Sequence, residues 1–150
     1  MIRVVDVETS WQVTENGGYD PSPFHPDNIL VSVGIDDKYF FTNHSEKIDK
    51  GCFHKIQEIL DTTTLLVGHN IKFDLMWLLE SGFKYDGRVY DTMIGEYILN
   101  KGIRKSLTLE MCCRRRKIGS KDSSIKEFTD RGIPFQNITH QVVEQYGKKD

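Results

Sequence analysis

Ile2, Val4, Val5 and Val7 give the start of the chain the pattern of a buried strand, yet two carboxylates, Asp6 and Glu8, sit at its end. Alternate residues of a strand point to one face, so both acids project together from the strand's C-terminal tip. Like charges held that close repel unless a cation lies between them. A strand that simply runs into a polar turn shows the same local pattern, so the pair gains meaning only from what the rest of the chain brings to it.

The chain has 150 residues, 38% of them hydrophobic and 28% charged, with a mean hydropathy of −0.45. That suits one globular domain over residues 1–150 with a single core, and leaves no room for a polymerase domain. The N-terminus does not resemble a signal peptide and nothing runs to membrane-spanning length, which predicts a cytoplasmic protein. Cys52, Cys112 and Cys113 are odd in number and lack paired spacing, so neither a disulfide framework nor a zinc site is expected. A net charge of −2 excludes a general duplex-coating protein, which would need a basic surface. It leaves open an enzyme that grips a few nucleotides and sets cations against the phosphate.

After the first strand, residues 11–28 hold two glycines and three prolines and read as a long surface loop. Ile29, Val31, Val33 and Ile35 alternate as a strand, and Asp36-Asp37-Lys38 turns it into a hairpin partner over residues 39–42. A helix is expected from about Ser45 to Leu60. Leu65 to Gly68 then reads as a parallel strand, a helix follows to Gly82, and Arg88 to Asp91 reads as a short strand with a helix from Met93 to Asn100 behind it. Ser106 is placed to cap a further helix that runs into Arg114-Arg115-Arg116-Lys117. A small helix over residues 123–130 and a last one from about Asn137 complete the chain.

Carboxylates therefore leave element ends at three places: Asp6 and Glu8, Asp74, and Asp150. Metal-assisted phosphodiester cleavage requires such a set of hard oxygen ligands. Asn70 and Asp74 are four apart, hence on one face of the helix they open, with Asn70 a natural N-cap; a capped helix with a solvent-facing acid is the simpler alternative. Tyr146 and Asp150 share the same spacing, and a core tyrosine beside a surface acid is the alternative there.

Together these residues resemble the Asp-x-Glu, Asn-x-x-x-Asp and Tyr-x-x-x-Asp motifs of the DEDD exonuclease superfamily, in its tyrosine subclass. The segments from Leu66 to Asp74 and from Tyr90 to Asn100 are similar to the 3′→5′ proofreading domain of family A DNA polymerases, the bacterial polymerase I type and its phage relatives. The resemblance implies an α/β, RNase H-like exonuclease fold: a mixed sheet with an antiparallel first hairpin, flanked by helices. It implies a 3′→5′ exonuclease that releases nucleoside 5′-monophosphates in DNA replication. Asp6, Glu8, Asp74 and Asp150 are implied ligands of two divalent cations, Mg²⁺ or Mn²⁺, with Tyr146 orienting the attacking water and Asp91 bracing the fold. Single-stranded DNA or a frayed 3′ end is the implied partner, together with a separate DNA polymerase subunit, the alternative being that these residues are excised from a longer polymerase.

Splaying terminal bases calls for stacking and apolar wedges. Trp11, Gln12 and Ile125 are the positions to watch for this, with Thr9 and Asn70 beside the motifs. The basic run from Arg114 to Lys117 offers either phosphate contacts or, more simply, a solvated helix end favoured by the dipole. Two competing functions stand beside the DNA exonuclease: a 3′→5′ exoribonuclease of the RNase D type, and a nuclease-fold module that binds nucleic acid or a polymerase without catalysis.

Overall fold

The acid-tipped segment becomes β1 (Ile2–Thr9), the middle strand of a five-stranded sheet in a computed structural model that describes residues 1–119 and 125–148. Behind it, the long loop carries a two-stranded ribbon, β2 (Gln12–Val13) and β3 (Tyr19–Asp20). The loop is tied down: the Trp77 indole N–H donates to the Pro21 carbonyl at 3.1 Å, and the Asn28 amide donates to the Asp20 and Ser22 carbonyls. The hairpin of β4 (Leu30–Ile35) and β5 (Lys38–Phe41) pairs antiparallel on one side of β1, and β6 (Leu65–Gly68) and then β7 (Arg88–Asp91) follow in parallel on the other. Connection length dictates this split. Two residues at Asp36 and Asp37 can only close a hairpin, whereas α1 (Cys52–Asp61) and α2 (Ile71–Glu80) are long enough to return the chain for parallel pairing.

Register assigns the two faces of the sheet. Val5 pairs with Ile35, and Val7 with Val33, which pairs in turn with Phe40; this row meets Cys52, Ile56 and Leu60 of α1 and Ile71, Trp77 and Leu78 of α2 in the main core. Asp6, Gly34 and Tyr39 make a row on the opposite face, and Glu8, Ser32 and Phe41 the next. There Phe41 joins a second core with Ile125, Ile138, Val143 and Tyr146.

α1 starts at Cys52 rather than near Ser45, because Gly51 sits at φ 68, a left-handed conformation that opens the helix instead of continuing it. α3 (Thr92–Leu99) follows β7, and α4 (Leu109–Arg116) is capped by Thr108, whose hydroxyl accepts from the Met111 N–H, and not by Ser106. The basic run forms the last turn of α4 with Arg114, Arg116 and Lys117 exposed, as a solvated helix end, and acids engage part of it. Arg115 and Arg116 clasp Glu96 of α3, at 3.4 and 2.9 Å, and Arg114 pairs with Glu110 at 3.1 Å. The short α5 (Lys126–Asp130) and a 3₁₀ turn (Phe135–Asn137) lead to α6 (His140–Gly147). No helix among the described residues is long and apolar enough to cross a membrane.

Candidate active site

β1 outruns its parallel neighbour. Its pairing with β6 ends at Val4 opposite Val67, and β6 stops at Gly68, where a Cβ would stand 3.2 Å from the Val5 carbonyl oxygen and 3.0 Å from Ile71. Glycine allows that close approach, where a side chain would force Ile71 or the strand to shift, before the chain turns away into α2. Beyond this point α2 takes over from the missing strand: the Val7 N–H donates to Asp74 Oδ1 at 3.0 Å. Asp74 lies on the core-facing stripe of α2 with Ile71, Trp77 and Leu78, and is only 4% exposed. A carboxyl on an apolar stripe breaks the pattern that packing alone would select. Burial pushes its pKa up to about 8, and the charge of Asp6 adds to the rise, with a further contribution from Asp91.

On the other edge of β1 the pairing with β4 shifts register between Glu8 and Thr9, so Val31 is skipped. Such a bulge re-aims the side chains around it, and Val7, Glu8 and Thr9 are all buried in succession. Glu8 and Asp6 both stand near the Tyr39 hydroxyl, whose proton is held far more tightly than usual, first by burial and then by the Glu8 charge, with Asp6 and Glu144 adding. The Ser32 hydroxyl is 2.8 Å from that of Tyr39. Tyr146, on α6, is 9% exposed and packs against Phe135 at 6.2 Å between ring centroids. A cleft of about 530 Å³ opens here, lined among others by Asp6, Tyr39, His69, Thr92 and Lys148.

A further set of residues holds these elements. Asp91 Oδ1 accepts from the backbone N–H groups of Asn70, Met93 and Ile94, at 3.0, 2.8 and 3.4 Å, so one carboxylate ties the start of α2 to the start of α3. His69 bridges the Thr92 hydroxyl at 3.0 Å and the Leu107 carbonyl at 2.7 Å.

The sequence candidates separate accordingly. Asp6 and Glu8 leave the end of β1, and Asp74 is bonded to the Val7 N–H between them with the charge of Asp6 acting on it, while Tyr146 is packed into the core with Phe41. Asn70 does not share a helical face with Asp74: it occupies the position before α2 at φ 61, exposed, and its side chain makes no capping hydrogen bond. Ile125, expected as a wedge, is 3% exposed within the second core and offers no surface to a base. Trp11 is half-buried against the edges of Tyr19 and Phe135, at 5.6 and 5.8 Å, and Gln12 donates to the Asp27 carbonyl at 3.4 Å. Thr9 is buried. Asp150 lies outside the described residues, and among those described no group of three or more His, Cys, Asp or Glu side chains forms a ready metal cluster. Tyr39 went unnoticed in the sequence. Its signal is the hairpin register, which sets it in line with Asp6 across Gly34.

A family model described as 3′-5′ exonuclease, of the DNA polymerase A type, matches residues 14–117. Among solved structures, the family B DNA polymerase of the hyperthermophilic archaeon Pyrobaculum calidifontis superposes with a TM-score of 0.56 at 14% identity, over 99% of this chain and 23% of its own. At that identity the likeness speaks to the fold, an RNase H-like exonuclease domain, and the chain spans less than a quarter of that polymerase's length. No curated protein sequence matches the chain. With more than half of its residues covered by the family model, the chain belongs to the 3′-5′ exonuclease family of polymerase proofreading type.

Proposed function

We propose that residues 1–150 act as one exonuclease domain that removes nucleotides from DNA 3′ ends with the help of divalent cations, in the service of a DNA polymerase. The observation that carries this is Asp74: a carboxyl buried on an apolar helix face, bonded to the Val7 N–H and set beside Asp6. Burial and the charge of Asp6 together raise the pKa of Asp74, and a cation set between the two acids would offset both effects.

The donor set fits hard divalent cations such as Mg²⁺ or Mn²⁺, being made of carboxylate oxygens without thiolate or imidazole. Asp6, Glu8, Asp74 and Asp150 would hold them. Bound cations supply charge to offset that developing on phosphorus and its leaving oxygen, and lower the pKa of water. The chain's own part is positioning. The Val7 N–H fixes one Asp74 oxygen and leaves the other for the site, the bulge at Glu8 aims that carboxylate from β1, and Tyr146 offers a phenol to orient the attacking water. Trp11, Gln12, Thr9 and Asn70 flank the site where a single-stranded end would be held.

The test is a 5′-labelled single-stranded DNA incubated with the protein in Mg²⁺, in Mn²⁺ and in excess chelator. A ladder shortening from the 3′ end, present with cation and absent with chelator, is expected. Cleavage in chelator would overturn the metal assignment, and preference for the matching oligoribonucleotide would move the substrate to RNA.

A further inference from the structure

Tyr39 has a place in the fold that packing of an ordinary edge strand does not require. It belongs to β5, the outer strand, yet its ring lies inward across Gly34 toward the Asp6 row: a Cβ on Gly34 would stand 3.4 Å from Tyr39 Cδ2 and 3.5 Å from the Asp6 carbonyl oxygen. On its opposite side the ring meets α6. A Cβ on Gly147 would come within 2.5 Å of Tyr39 Cε2 and 2.8 Å of its hydroxyl oxygen. The backbone of Gly147 is ordinary helix, so what glycine supplies at this position is room, not conformational freedom. Two glycines, one on the sheet and one on the last turn of α6, thus close around a single phenol. The Ser32 hydroxyl, from the row of Glu8, anchors its far end.

We infer that Tyr39 is a positioning residue of the exonuclease site: clamped between Gly34 and Gly147 and anchored by Ser32, it seats the last turn of α6 on the sheet and so fixes where the adjacent Tyr146 stands relative to Asp6 and Glu8. This rests on the role of Tyr146 proposed above. Tyr39 acts through α6, whose Val143 and Tyr146 share the second core with Phe41, the ring next to Tyr39 at 5.3 Å. Misplacing a reacting group by about 1 Å can cost up to about 100-fold in rate, so a seat for Tyr146 carries kinetic weight without touching substrate.

The experiment is a mutant cycle on single-stranded DNA cleavage at saturating Mn²⁺, with kcat and KM measured for Tyr39→Leu, Tyr146→Phe and the pair. Tyr39→Leu is expected to lower kcat roughly tenfold with KM for the oligonucleotide unchanged. In the Tyr146→Phe background, where the hydroxyl to be positioned is gone, the same change is expected to have no further effect on kcat. Equal losses in both backgrounds, or full activity of Tyr39→Leu, would overturn the inference while leaving Tyr146 in its role. Native activity of Tyr146→Phe removes that role and this inference with it. Should Tyr39→Leu lose its far-ultraviolet circular dichroism, Tyr39→Phe, which keeps the ring and removes the hydroxyl that accepts from Ser32, carries the same cycle with a smaller expected loss and the same criteria.

Discussion

α2 and α3 each follow a parallel strand of the sheet, each begins at a turn held by Asp91, and each buries one acid, yet the two acids are opposites. Asp74 faces the core stripe of α2 beside a second carboxylate, and its proton is retained up to about pH 8. Glu96 is the only buried residue of α3, and a hydrogen bond from Arg116, with Arg115 beside it, holds its carboxyl below the usual range. The apolar residues of α3, among them Ile94, Ile98 and Leu99, are the exposed ones. A buried acid with its counter-charges supplied by the chain is a structural clamp. Asp74 instead feels the charge of another acid, Asp6, which is the arrangement the proposed cation site uses.

That contrast breaks most visibly in activity. Asp74→Asn keeps an oxygen to accept from Val7 but loses the charge, so cleavage should fall by about 1,000-fold or more while the fold persists. Glu96→Gln should leave the rate per folded molecule within about threefold, as its carboxylate is held by Arg115 and Arg116 and takes no part in the proposed site. Oligonucleotide cleavage by both variants under one Mn²⁺ concentration decides this, and comparable losses would erase the distinction.

The next effect is on stability against pH. In chelator the unfolded chain ionises Asp74 near its ordinary value of 3.8, whereas the folded protein keeps the proton to about 8. Between those values the folded state binds the extra proton, so its stability from this group falls as pH rises from about 4 to about 8. Thermal unfolding across that range should show the fall in the native chain and a flatter profile in Asp74→Asn. Glu96 has the reverse sign: its lowered pKa contributes stability above the usual carboxylate range that is lost as pH falls, and Glu96→Gln should remove it. Mn²⁺ should raise the melting temperature of the native chain and of Glu96→Gln but not of Asp74→Asn. The smallest effect belongs to the outer face of α3. Ile98 is 67% exposed, and Ile98→Lys should change stability by less than about 0.5 kcal/mol in denaturant unfolding.

Much was legible in the residues alone. The alternation from Ile29 to Ile35, the two-residue turn, and the apolar run before Gly68 imposed the hairpin and the parallel return, because period and connection length act locally. Asp6, Glu8 and Asp74 stood out because carboxylates at the ends of apolar runs break the pattern that burial favours. Asn70 misled, since spacing assumes helical backbone and its left-handed φ of 61 takes it out of the helix. Ile125 misled because an apolar side chain in a short helix fits a wedge and a core equally well.

The sequence by itself determined the strand order along the chain and the chemistry of the acids, through local propensity and charge. Tertiary structure alone decided that Glu96 meets its counter-charges, because Arg115 and Arg116 lie 19 and 20 residues from it and reach it only when α4 folds back. It also decided that Tyr39 lies across a glycine from Asp6 and beneath a glycine of α6. That neighbourhood depends on strand register and on the docking of a helix more than a hundred residues away, which no local pattern encodes.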